Sequence, residues 1–96
     1  MKIILESQIE KALVTRVKKH GGCAMKFVSP GMTGVPDRLV LLPGGRICFV
    51  ELKAPGRKLS PKQVKMAKRL ESFGHKVWVI DDQEKITVFL REVLSK

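Results

Sequence analysis

The sequence predicts one α/β domain over residues 1–96, a central mixed sheet flanked by helices in the order α-β-β-β-α-β-α. Three observations carry that prediction. Apolar residues recur at helical spacing near both ends of the chain and once in between, while the runs separating them are short and β-rich. Two of those runs flank Pro43-Gly44-Gly45, a hairpin signal. Ser60-Pro61-Lys62-Gln63 reads as a helix start: Ser can cap, Pro suits the first helical position, and a Gln three residues on completes a capping box.

Taken in order, the opening stretch to His20 reads as a helix stopped by Gly21-Gly22. Ala24 to Val28 is short and apolar enough for a strand. Residues 29–36, SPGMTGVP, form a loop by composition, with two Gly and two Pro. Arg38–Leu42 and Arg46–Leu52 are the hairpin strands. A second loop, Ala54 to Leu59, leads to the capped helix, which runs to Phe73 and stops at Gly74. Lys76 to Ile80 is a further strand, and Gln83 to Leu94 a closing amphipathic helix.

Composition narrows the function classes. No apolar run approaches the ~20 residues of a membrane span, and the opening MKIILES is too short for a signal peptide. A soluble, cytoplasmic protein without a membrane partner is the expectation. Cys23 and Cys48 are the only cysteines and lack C-x-x-C spacing, so two free thiols are expected, and His20 and His75 offer no zinc-site spacing. Nineteen Lys+Arg against nine Asp+Glu give a formal net charge of +10. A small domain this basic attracts a polyanion, because each phosphate it neutralises releases condensed counterions. Tyr is absent and Trp78 is the only Trp, which favours backbone recognition over base stacking.

The hairpin brings chemistry together. Side chains alternate along a strand, so Ile47, Phe49, Glu51 and Lys53 point one way and Cys48, Val50 and Leu52 the other. On the partner strand Asp37 shares a face with Leu39 and Leu41. The short connection sets the start of one strand beside the end of the other, so Asp37 comes within reach of Glu51 and Lys53. Two carboxylates converging with one lysine suit metal-assisted phosphodiester hydrolysis. Hard oxygen ligands hold Mg²⁺ while leaving sites for water and a phosphate oxygen, the ion polarises the phosphoryl group and acidifies the water, and the lysine orients that water or stabilises charge growing on phosphorus. A surface salt bridge at a hairpin end has the same spacing.

The helices add to the case. Leu5, Ile9, Ala12, Leu13 and Val17 form the apolar side of the first helix, with Glu6 and Glu10 within or at the edge of it and Lys11, Lys18 and Lys19 opposite. Acidic groups on a buried face are expensive unless paired or metal-bound. In the second helix Met66, Ala67, Leu70 and Phe73 face inward with Gln63 in the same stripe, and Lys62, Lys65, Lys68 and Arg69 take the other side. Inward polar residues on two helices suggest one shared site.

Gly34-Val35-Pro36-Asp37-Arg38, the hairpin, Phe49-Val50-Glu51-Leu52-Lys53 and Leu59-Ser60-Pro61-Lys62-Gln63 together resemble the PD-(D/E)XK nuclease superfamily, and within it the virus-type replication-repair nuclease (VRR-NUC) domains. The resemblance spans Glu6 to about Ile80. It implies a restriction-endonuclease-like fold and Mg²⁺- or Mn²⁺-dependent cleavage of DNA phosphodiesters. Carried over position by position, it makes Asp37 and Glu51 metal ligands helped by the Leu52 carbonyl, Lys53 the catalytic lysine, and Gln63 the glutamine that follows the motif. The first-helix stretch from Glu10 to Gly21 is similar to that of archaeal Holliday junction resolvases, which favours Glu10 as a further acidic site residue; Glu6 is the alternative. The resemblance further implies a phage or prophage protein acting in the cytoplasm of a bacterial host, as a homodimer on branched DNA such as a four-way junction. A nuclease for flaps, single strands or other DNA ends is the alternative, and a catalytically idle DNA-binding module stands against both.

Overall fold

The computed structural model describes residues 3–95. Met1, Lys2 and Lys96 lie outside the described residues, and with them the extreme ends of the expected domain. The element order is α1 (Glu6–Lys19), β1 (Cys23–Lys26), β2 (Arg38–Leu42), β3 (Arg46–Leu52), α2 (Pro61–Ser72), β4 (Val77–Ile80) and α3 (Gln83–Leu94). This is the α-β-β-β-α-β-α arrangement expected of the sequence.

Local chemistry explains most boundaries. The Leu5 N–H donates to Gln8 Oε1 at 2.7 Å, so α1 begins at Glu6 rather than at the chain's opening. Gly21 turns out of the helix at φ +80°, and Gly22 N–H returns to the Val17 carbonyl while Gly21 N–H returns to that of Lys18, a Schellman stop. The same two bonds recur at the end of α2, where Gly74 N–H meets the Glu71 carbonyl and His75 N–H that of Leu70. Strand β1 runs one residue earlier than expected and stops two earlier. Phe27 N–H still reaches the Asp37 carbonyl at 3.0 Å, but Val28 is already exposed as the chain leaves for its Pro-containing loop.

The sheet order is β1-β2-β3-β4, antiparallel except for the parallel β3–β4 pair. Gly44 and Gly45, at φ +87° and +79°, make the tight β2–β3 turn. The parallel pair needs a crossover, which α2 supplies. Register runs from Arg38 opposite Val50 to Leu42 opposite Arg46.

One face of the sheet is the main core. Ala24, Val40, Leu42, Val50, Leu52 and Ile80 pack on Ile9, Leu13 and Val17 of α1 and on Ile86, Phe89 and Leu90 of α3. Trp78 meets Phe89 edge-on, with ring centroids 5.1 Å apart. The other face carries Phe49 and Glu51 under α2 alone. Two helices seal the first face and one only partly covers the second, so α2 buries no residue completely. One expectation fails for that reason: Phe73, assigned inward, is 67% exposed, and Ile47, on the Glu51 face, is 62% exposed as well. Cys23 and Cys48 are unbridged. No helix among the described residues is long and apolar enough to cross a membrane.

The loop between β1 and β2 is pinned to α2. Gly34 sits at φ +79°, and a Cβ there would lie 2.4 Å from the Lys62 carbonyl oxygen. Pro36, two residues on, is fully buried. Gly34→Ala therefore faces both a left-handed backbone, at ~1–2 kcal/mol, and a backbone collision. It should lose about 2 kcal/mol or more, lowering the Tm by at least roughly 8 °C for a domain of this size. Gly31→Ala in the same loop has open space and ordinary φ, and should stay within about 0.5 kcal/mol of wild type. Equal melting temperatures for the two variants would show that the loop is not seated on α2.

Candidate active site

Continuing the β2–β3 register one step past Arg38 and Val50 sets Asp37 opposite Glu51. The Asp37 carbonyl accepts from Phe27 N–H, so its backbone faces β1 and not β3. Cross-strand pairs of that kind bring their Cα atoms to ~4.5 Å and their side chains close together. One step further, Pro36 opposes Leu52 and has no N–H to donate. The Leu52 N–H, which faces β2, donates to Asp37 Oδ2 at 2.7 Å in place of the Pro36 carbonyl. A strand residue's N–H and C=O point to the same neighbour, so the Leu52 carbonyl faces the same opening and meets no N–H from Pro36. Proline followed by aspartate thus ends the ladder and presents one carboxylate and one carbonyl at its end. Pro36 had no role in the sequence reading beyond its place in the motif; its missing donor, opposite a strand end, was the available signal.

Glu51 is 1% exposed, and it is the one buried charged side chain among the described residues. Its Oε1 accepts from Gln63 Nε2 at 3.3 Å. Gln63 is held in turn by its own helix start: its Oε1 accepts the Ser60 N–H at 2.8 Å, and its backbone N–H donates to Ser60 Oγ at 3.2 Å. The capping box therefore aims the amide. Burial pushes the Glu51 pKa up to about 8, helped by a hydrogen bond with Asp37 and by the charge of Asp37. The Lys53 charge works in the opposite direction, and that of Glu6 adds to the rise. Lys53 leaves the end of β3 half-buried, anchored through its N–H to the Ile80 carbonyl at 3.0 Å. Asp37, Glu51, Lys53 and Gln63 are thus gathered at one end of β3.

The two acidic candidates of α1 part company. Glu10 Oε2 accepts from Arg38 Nε at 3.0 Å, and Arg38 also donates to the Ala24 carbonyl at 2.9 Å. Arg38 stands opposite Val50, on the face packed against α1 and α3, whereas Glu51 points to the face under α2. Glu10 is engaged on the far side of the sheet from Glu51. Glu6, one turn earlier, is the α1 carboxylate whose charge is felt at Glu51.

The donor set fits a hard divalent cation. Glu51 is a carboxyl whose ionised form is disfavoured by burial and by Asp37, and a cation between the two would remove that penalty. Among the described residues no three acidic, histidine or cysteine side chains form a cage. Asp37, Glu51 and the Leu52 carbonyl would leave the remaining positions of an octahedral ion to water and a phosphate, the usual habit of Mg²⁺ sites.

Stability should register this. The pKa of Glu51 is higher in the folded chain, about 8, than its ordinary 4.5, so the folded state holds the proton more tightly. The stability due to the protonated form is complete below about 4.5 and is lost as pH rises to about 8. In chelator, the difference in Tm between Glu51→Gln and wild type should grow across that window in favour of the variant, by several degrees at pH 8. Mn²⁺ should raise the Tm of wild type and leave the variant unchanged. Parallel pH profiles for the two proteins would show that Glu51 does not carry the strain.

Known proteins match both the sequence and the fold. A family model described as the VRR-NUC domain matches residues 4–83. "Putative nuclease p44" of Acyrthosiphon pisum secondary endosymbiont phage 1 is 57% identical over 84 residues, covering 88% of this chain and 90% of that protein. A solved structure described as a VRR-NUC domain superposes with a TM-score of 0.83 at 31% identity, covering 90% of this chain and 94% of the other. With the α-β-β-β-α-β-α order and the mixed four-stranded sheet in common, the chain belongs to the VRR-NUC domain family.

Proposed function

We propose that this protein is a metal-dependent endonuclease that hydrolyses DNA phosphodiester bonds, with a preference for branched DNA. The observation that carries the reading is the cross-strand pair of half-buried Asp37 and buried Glu51, with Lys53 just past the end of the same strand. Membership of the VRR-NUC family and the 57% identity to the phage protein "Putative nuclease p44" support it. A bound Mg²⁺ or Mn²⁺ would supply Lewis-acid polarisation of the phosphoryl oxygen and acidify a water. Asp37, Glu51 and the Leu52 carbonyl would hold the ion. Gln63 fixes the orientation of Glu51. Lys53 places its ammonium where it orients the attacking water or stabilises charge growing on the phosphorus. Glu6, rather than Glu10, is the α1 carboxylate available to the cluster, because Arg38 already holds Glu10.

For the branched substrate, we take the active form to be a symmetric homodimer with two such sites. Resolving a four-way junction needs paired incisions in opposed strands, and C2 pairing is the commonest oligomeric arrangement. The apolar sheet face that α2 leaves open, with Met25 and Ile47 exposed, is surface a second copy can cover.

Labelled linear, flap and four-way-junction DNA, incubated with and without Mg²⁺ or Mn²⁺, separates these levels. Cleavage should require the metal and should fall by at least ~10²-fold in Asp37→Ala, Glu51→Ala and Lys53→Ala, in line with losses at other charge-stabilising groups. Their folds should persist. An Asp37→Ala or Glu51→Ala variant cutting at near wild-type rate in Mn²⁺ would sink the site assignment. On a supercoiled cruciform plasmid the dimer should give linear product by coupled cuts. A monomer by sedimentation, or nicked circles alone, removes junction resolution while leaving nuclease activity in place.

A further inference from the structure

Beside the contact at Gly34, the loop and α2 leave a groove of about 370 Å³ lined by Met32, Thr33, Lys62, Lys65, Met66 and Arg69. Its two walls are the segments that deliver site residues. The loop ends at Pro36-Asp37, and Lys62 is the neighbour of Gln63 in the first turn of α2. One end of the groove, at Lys62, thus adjoins Gln63, the amide that donates to Glu51.

Its charge is unbalanced. Lys62, Lys65 and Arg69 are all exposed. The ion pairs among the described residues are Arg38–Glu10 and Lys85–Asp81, so no carboxylate neutralises these three cations. The first turn of α2 contains no acidic residue, which leaves the positive end of the helix dipole uncompensated there as well. Spacing sharpens the point. Positions 62, 65 and 69 share one side of the helix, and at a rise of 1.5 Å per residue they lie at 0, ~4.5 and ~10.5 Å along its axis. One strand of DNA carries a charge per ~3.4 Å of duplex axis, and because the backbone winds around that axis its phosphates are farther apart than this, so the stripe faces about two of them. Met32 and Met66 give the groove an apolar, deformable part of its lining that can take a sugar edge.

We infer that this groove is the track for the sugar-phosphate backbone flanking the scissile phosphate, with Lys62 nearest the cluster and Arg69 farthest from it. The proposed nuclease activity identifies the ligand as DNA; the charge and position of the groove say where it runs.

The test compares two equal losses of charge. Lys65→Ala/Arg69→Ala removes two cations from the groove, and Lys18→Ala/Lys19→Ala removes two exposed cations from the end of α1. Binding of a fluorescein-labelled duplex is followed by anisotropy in EDTA, so that no strand is cut, over roughly 50 to 200 mM salt. The groove pair should make the slope of log K against log salt shallower by ~1.8, at ~0.9 per lost phosphate contact, and weaken binding roughly ten- to a hundredfold. The α1 pair should leave the slope within about 0.5 of wild type. In Mn²⁺ the groove pair should raise KM with kcat within about twofold of wild type. Equal slope changes in the two pairs, or no change in the groove pair, overturn the inference. A wild type that binds with the groove-dependent slope yet cuts no DNA in Mg²⁺ or Mn²⁺ supports the groove and removes the nuclease reading.

Discussion

A proline standing where a ladder needs an N–H is the constraint on which this site depends. Opposite Leu52 the β2–β3 pairing cannot be completed, because Pro36 has no N–H for the Leu52 carbonyl, and the Leu52 N–H is accepted by the Asp37 carboxylate in place of the Pro36 carbonyl. That single bond holds Asp37 against the end of β3, turns it toward Glu51, and leaves the Leu52 carbonyl facing the same opening. The rest of the fold keeps this strand end in place. The core on the α1–α3 side locks Val50 and Leu52, the parallel neighbour β4 fixes Lys53 through the Ile80 carbonyl, and the loop seated on α2 delivers Pro36.

The sheet also separates two kinds of electrostatics. On the α1 side Arg38 donates to Glu10 and to the Ala24 carbonyl, so a charge near the core is paired with an opposite one. On the α2 side Glu51 has an amide and a second carboxylate for company, an arrangement that favours a proton or a metal. Neighbouring residues of β2, Asp37 and Arg38, serve these opposite ends because strand side chains alternate. The aspartate works at the site and the arginine ties the helix down.

Much of this was legible in the sequence because the period of a strand and the length of a hairpin loop are short-range facts. Alternation put Asp37 and Glu51 on one face, and the Pro-Gly-Gly turn fixed their register, so the pair was available without tertiary information. The Ser60–Gln63 capping box was readable for the same reason. Harder to read was how the sheet is covered. Ile47 and Phe73 have the chemistry of core residues, and only the placement of one helix on that face, against two on the other, leaves them exposed. The partner of Glu10 depended on a contact across 28 residues, which helical periodicity cannot reveal. The seat of Gly34 on α2 was equally hidden: a glycine in a loop announces conformational freedom but not the neighbour that requires it.

The helix start at Ser60 has one more implication. A capping box is served equally well by glutamate or glutamine at its third position, since either oxygen can accept the cap residue's N–H. Here the choice is not free. The oxygen of Gln63 is committed to Ser60, so the end of the side chain that reaches Glu51 must be a donor, and only the amide has one to give. A glutamate would begin the same helix and set a third carboxylate against the other two. The identity of residue 63 is therefore decided by the strand beneath the helix and not by the helix it begins.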